Sequence, residues 1–267
     1  MTDNVTPREV VEPQKARAEE KEDWKSFGWF LVKLVVVVLL FRTLVFTSFN
    51  IPSESMMPRL LVGDYLFAQK WSYGYSRYSL PFDVDVGDGR LFASLPEHGD
   101  VAIFKHPIDK SDYIKRVIGL PGDTVQMIDG QLHLNGQPVP KERVEDFILP
   151  LGPDERCYSG RFAMQQEGNT PACRYPQYRE TLPNGVSYNV LDLGAVGVDD
   201  TPPVIVPDDH VFMLGDNRDN SQDSRRASVS GGWVGLVPTE NLVAEASFMY
   251  WSWGSDGVRW SRMFEGI

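Results

Sequence analysis

The stretch DYIKRVIGLPGDTVQMIDGQLHLNGQPV, residues 112–139, decides the fold. Its apolar residues come in short runs, each closed by a turn signal. Pro121-Gly122 ends the first run, and Asn135-Gly136 between QLHL and QPV is a good hairpin signal. Lys115 and Arg116 sit in the first run, where neighbouring side chains point to opposite faces of a strand. One of the two is therefore expected in a core or cleft while the other stays solvated. Working outward, DYLFAQKW, GDVAIFKHP and DHVFMLGDN repeat the pattern, and no long helical period appears after residue 47. Many short strands at close spacing predict a mainly β, antiparallel domain.

Two segments interrupt this pattern. Residues 72–98 are rich in Gly, Tyr and Asp and are expected as an extended ribbon or loop excursion. Residues 141–207 are rich in Pro and Gly and are expected as an inserted smaller β subdomain. The core then comprises 47–140 and 208–267. Cys157 and Cys173 both fall in the insertion. Neither has a CxxC neighbour, so a zinc site is not expected. A disulfide between them is plausible in an oxidising compartment, with two free thiols as the alternative.

Upstream, FGWFLVKLVVVVLLFRTLVF, residues 27–46, is long enough to cross a bilayer core. Lys33 and Arg42 lie towards its ends, where long side chains reach the headgroups. The apolar run is long and TSFNIPSES after it shows no A-x-A cleavage site, so an uncleaved transmembrane helix is expected. The tail before it carries Arg8, Lys15, Arg17, Lys21 and Lys25, against Arg59 and Lys70 in residues 47–70. That bias places the tail, 1–26, in the cytoplasm and the β domain outside. The tail is charged, poor in aromatics and expected to be disordered.

The formal net charge is −11, and residues 1–46 balance at seven basic and seven acidic side chains. The acidic excess therefore belongs to the β domain. Such a surface is poorly suited to nucleic acid, which requires phosphate neutralisation. Its ordinary role is solubility.

NIPSESMMPRL, residues 50–60, raises the question of chemistry. Either Ser53 or Ser55 would be a nucleophile if a base took its proton. His98, His106, His133 and His210 are the only histidines, and no local motif ties any of them to a serine. A lysine serves as the base if burial lowers its pKa from about 10.4. Lys115 is the best candidate, the alternative being an ordinary surface charge. A third stretch, GDNRDNSQDSR, residues 215–225, is dense in groups that make side-chain turns. There Ser221 could bond a neutral lysine amine, and Asp223 and Arg225 are close enough to pair. Met56 and Met57 suit either the membrane interface or ordinary core packing.

IPSESMMPRLLVGDYL, RVIGLPGD preceded by YIK, and GDNRDNSQDSR, in this order after a membrane anchor, resemble the signature boxes of bacterial type I signal peptidases. HGDVAIFKHP resembles a fourth. Glu54 replaces a glycine that this family often varies. At matching positions the resemblance implies Ser55 as nucleophile and Lys115 as general base. It implies Ser53 as an oxyanion-hole donor beside the Ser55 amide, Ser221 orienting the lysine amine, and a supporting Asp223–Arg225 pair. Phe49, Ile51, Tyr113 and Ile114 would line shallow pockets for small residues at −1 and −3.

The family implies an antiparallel β catalytic core with an extended β-ribbon and an inserted second β domain, and neither metal nor cofactor. Partners would be signal peptides of secreted preproteins and membrane lipid, with no nucleic acid, acting as a monomer. The expected location is the bacterial plasma membrane, spanned once, with the catalytic domain on the outer face. Ser55 lies nine residues past Phe46. An extended chain of that length reaches at most about 30 Å, which keeps the site close to the membrane. Self-cleaving Ser–Lys repressors would need an N-terminal DNA-binding domain where this chain has an anchor. An anchored scaffold has no reason to keep all three stretches together. A specialised peptidase for one substrate is the narrower rival.

Overall fold

The computed structural model describes residues 13–80, 89–165, 171–255 and 257–267. An α-helix, Pro13–Leu44, opens it. Within that helix Trp24–Leu44, 21 residues, is apolar enough to cross a membrane. Its run of four valines, 35–38, is helical although β-branched residues favour strands. In hydrocarbon a helix satisfies its backbone polar groups within one segment, and that requirement outweighs propensity. The expected disordered tail lies outside the described residues up to position 12, and from Pro13 the backbone is helical. Phe46, the expected end of the span, instead opens a strand and pairs with Gln69.

Thr43–Ile267 forms one unit of antiparallel sheets. The largest sheet runs Phe46–Asn50, Asp64–Gln69, Leu242–Gly254, Val101–Lys105, Asp112–Gly119, His210–Leu214, Val237–Pro238 in spatial order. Leu242–Gly254 is its spine. Register shifts at 242/244, 246/248 and 249/251 bend it, so its first part pairs with Val101–Lys105 and its later part with Asp64–Gln69.

A four-stranded sheet joins Val204–Ile205, Thr124–Ile128, Gln131–Leu134 and Gln137–Pro138. Asn135-Gly136 turns a hairpin as expected, with φ of 54° and 77°. Asp129-Gly130 turns another, with φ of 49° and 70°. Positive φ at both central residues is what a tight hairpin turn requires.

Residues 141–207 contribute two three-stranded sheets. One is Ala163–Gln165, Pro171–Tyr175 and Phe147–Pro150; the other is Ser187–Leu191, Gln177–Thr181 and Lys141–Arg143. A shared core joins this segment to the rest: Leu182, Tyr188 and Val190 pack with Ile118, Val125 and Phe212. Cys157 and Cys173 are joined by a disulfide, with Cα atoms 5.6 Å apart. In residues 72–98 the described part holds a single antiparallel bridge, Tyr75 to Leu91, and 81–88 lie outside the described residues.

Met56 and Met57 are both buried. Met56 packs with Ile51, Leu60 and Leu66, and Met57 with Cys173, Tyr175 and Leu191. Their role is therefore core packing. They fix the short segment between them and the strand Phe46–Asn50, which carries both serines.

Candidate active site

Ser55 leaves the first strand in a tight turn whose two sides are anchored in the core. Ile51 N–H donates to Asp64 O at 2.8 Å, and Leu60 N–H donates to Met56 O at 2.9 Å. Ser55 itself is only 8% exposed. Its Oγ receives a hydrogen bond from Lys115 Nζ at 2.5 Å and lies 3.3 Å from Ser53 Oγ.

Lys115 comes from the middle of the strand Asp112–Gly119 and is 3% exposed. Besides Ser55, its amine donates to Ile114 O at 3.0 Å. Burial pushes its pKa down from 10.5 to about 8, against an opposing pull from Asp223 and Asp216. The amine is therefore partly neutral near physiological pH, as a base requires.

Arg116 corrects the expectation that one of these neighbours stays solvated, for it is also buried. It points to the other face, where Asp216 takes its guanidinium in a two-pronged ion pair at 2.8 and 2.7 Å. Tyr188 covers it, the guanidinium carbon lying 4.2 Å from the ring centre. Charge pairing makes burial of both residues tolerable.

The polar loop 215–225 holds two further forked pairs. Arg225 Nε and Nη2 donate to Asp223 at 2.8 and 2.9 Å, both side chains being fully buried. Arg218 donates to Glu180 at 2.9 and 2.5 Å. The Asp223–Arg225 pair was legible from sequence proximity; Glu180, from the distant segment 141–207, was not. The same loop grips the serine turn. Asn217 N–H donates to Ser55 O at 3.1 Å, Asn217 Nδ2 to Glu54 O at 3.1 Å, and Asn220 Nδ2 to Glu54 Oε2 at 2.8 Å. Glu54 is half-buried, and burial, then Glu155, raises its pKa.

Ser221 is brought to the site, but its buried hydroxyl makes no hydrogen bond. The expected bond to the lysine amine is therefore not formed. Gly215 packs tightly here: a Cβ on it would lie 2.2 Å from Ser221 Oγ and 2.5 Å from Ser55 O.

Ser53, Ser55 and Lys115 open on a cleft of about 870 Å³. Tyr113 and Ile114 line it. Ile51 does not, because it is 2% exposed and belongs to the core, and Phe49 packs partly buried against that same core. The rest of the lining was not foreseen: Tyr158, Val196 and Val198 from residues 141–207, with Arg226 and Trp233. None of the four histidines lines it. Among the described residues no group of three His, Cys, Asp or Glu side chains could hold a metal ion.

A buried serine hydroxyl touching a basic amine in an open cleft is the arrangement of a serine peptidase. A model of the family described as "Signal peptidase, peptidase S26" matches residues 24–251. Signal peptidase I of Rickettsia canadensis is 38% identical over 249 residues, covering 90% of this chain and 82% of that protein. Signal peptidase I of Rickettsia bellii is 39% identical over 250 residues, covering 88% of this chain and 76% of that protein. A crystal structure of a signal peptidase I from Enterococcus faecalis shares 22% identity, covers 57% of this chain and 97% of that chain, and has a TM-score of 0.31. The chain belongs to the S26 signal peptidase family of serine peptidases.

Proposed function

We propose that this protein is a membrane-anchored signal peptidase that removes signal peptides from exported preproteins, with Ser55 as nucleophile and Lys115 as general base. The observation that carries this reading is the buried Lys115 amine 2.5 Å from Ser55 Oγ. Neutral Lys115 accepts the Ser55 proton as the hydroxyl attacks the scissile carbonyl. The Ser55 amide and the Ser53 hydroxyl, 3.3 Å from Ser55 Oγ, stabilise the oxyanion. The lysine then protonates the departing amine, leaving an acyl-enzyme on Ser55. Water hydrolyses that ester, with the same lysine as base. Ser221 makes no bond to Lys115 here and serves the lysine only if its hydroxyl turns during turnover.

The peptide would bind by strand addition. Leu214 is the last residue of its strand to pair, opposite Arg116, so among the described residues 112–115 are paired only to Val101–Lys105. That open edge carries Tyr113 and Ile114 along the cleft. An extended substrate bonded there would present alternate side chains to its wall, with small residues at −1 and −3 as in A-x-A. The helix Trp24–Leu44 would span the membrane once, its basic N-terminal side cytoplasmic and the catalytic unit on the outer face as a monomer beside the lipid. The acidic excess of the β domain would disfavour binding to nucleic acid.

Cleavage of purified A-x-A precursors in detergent by the wild type, Ser55→Ala and Lys115→Ala tests this reading. Cleavage after the second Ala, lost in both folded variants, is expected. Activity surviving Lys115→Ala would reject the lysine base. A wild type that cleaves one precursor of a varied panel would favour a specialised peptidase.

A further inference from the structure

Three consecutive residues tie the far side of the cleft to the serine turn. Arg218 grips Glu180, and Asn220 grips Glu54. Asp219 lies between them. Its carboxylate accepts Leu193 N–H through Oδ2, and its main-chain oxygen accepts Tyr158 O–H at 3.2 Å. Leu193 leads into the turn with Val196 and Val198, so both contacts end on the cleft wall contributed by residues 141–207. Tyr158 is itself tethered, its N–H donating to Tyr175 Oη at 3.0 Å beside the Cys157–Cys173 disulfide.

We propose that Asp219 is a positioning residue for substrate binding: it pins the wall formed by Tyr158 and Val196–Val198 against the serine turn. This rests on the reading of the cleft as the peptide-binding site. Asp219 also lines the cleft without touching Ser55 or Lys115, so it acts on the width of the binding site and not on the reacting atoms. Its other oxygen, Oδ1, is buried without a partner. A carboxylate held by one backbone amide is a poorly solvated anchor. Burial raises its pKa to about 6, against the opposing Leu193 N–H bond, with Asp192 and Asp199 adding to the rise and Arg225 opposing it. The wall is therefore expected to loosen as pH falls through about 6.

The test uses the full chain in detergent. Asp219→Ala is expected to raise KM for an A-x-A precursor about tenfold and move kcat much less, since one charge-assisted hydrogen bond is lost. Asp219→Asn keeps a neutral acceptor for the Leu193 amide, as the protonated carboxyl does, so its KM is expected to lie between those of Asp219→Ala and the wild type and to match the wild type below pH about 6. Wild-type KM should rise below pH about 6, and in Asp219→Asn that dependence should flatten, separating Asp219 from Glu54. A fall in kcat at constant KM, or no rescue by Asn, would overturn the proposal. Hydrogen exchange at the Leu193 amide is measured in parallel and needs no turnover. Asp219→Ala should expose that amide while strands such as Asp112–Gly119 stay protected. An unchanged Leu193 would also overturn the proposal, whether or not the wild type cleaves. Absence of wild-type cleavage alone would instead count against the peptidase reading.

Discussion

Arg116 and Asp216 form a buried two-pronged ion pair, at 2.8 and 2.7 Å, on the strand face opposite Lys115. Arg116 Nη1 also donates to Gly99 O at 2.7 Å. The pair ties the strand that carries Lys115 to the loop that grips the serine turn. Arg116→Ala leaves Asp216 buried and without its partner, which typically costs about 3–5 kcal/mol. Arg116→Lys keeps the charge but not the fork, and should lose less. Denaturant unfolding of the full chain in detergent checks both.

Gly215 has no room for a side chain. A Cβ would meet Ser55 O at 2.5 Å and Ser221 Oγ at 2.2 Å. In Gly215→Ala the serine turn must move, and a shift of about 1 Å in a reacting group can cost about 10²-fold in rate. The expected result is a folded protein with kcat reduced on that scale. Its melting temperature and single-turnover rate, measured together, distinguish displacement from unfolding.

Lys115 makes the protein less stable than it could be. Its pKa is 10.5 when exposed and about 8 in the fold. Between those values the unfolded chain binds more protons, so stability rises with pH across that window and the full cost is present below about 8. The difference corresponds to about 3 kcal/mol. Lys115→Met carries no such cost and should be more stable than the wild type at pH 7, by up to that amount. The gap should close as pH approaches 10.5. Unfolding midpoints of both proteins across this range provide the check.

Contacts that cross long separations leave no mark in the local sequence. Lys115 stood out because a lysine followed by an arginine in an apolar strand places one charge inward. That reasoning assumed one wet face, and Asp216 and Tyr188 cover it. No local signal links Glu180 to Arg218 or Tyr158 to Asp219, because those partners meet only when residues 141–207 fold over the loop. Asn135-Gly136 declares its turn by residue type, and Asp129-Gly130, equally suited to positive φ, turns the neighbouring hairpin. The pocket role of Ile51 comes from family resemblance alone; its side chain packs in the core with Met56 and Leu66.

The most direct test of the dyad is the pH dependence of kcat/KM on an A-x-A precursor, which reports the ionisations of the free enzyme. If Lys115 must be neutral to accept the Ser55 proton, kcat/KM climbs tenfold per pH unit on the acidic side and levels off near the lysine's pKa of about 8. Activity should vanish in Lys115→Ala at every pH. An acidic limb between pH 6 and 7 that survives Lys115→Ala would place the base on another residue and contradict the Ser55–Lys115 mechanism.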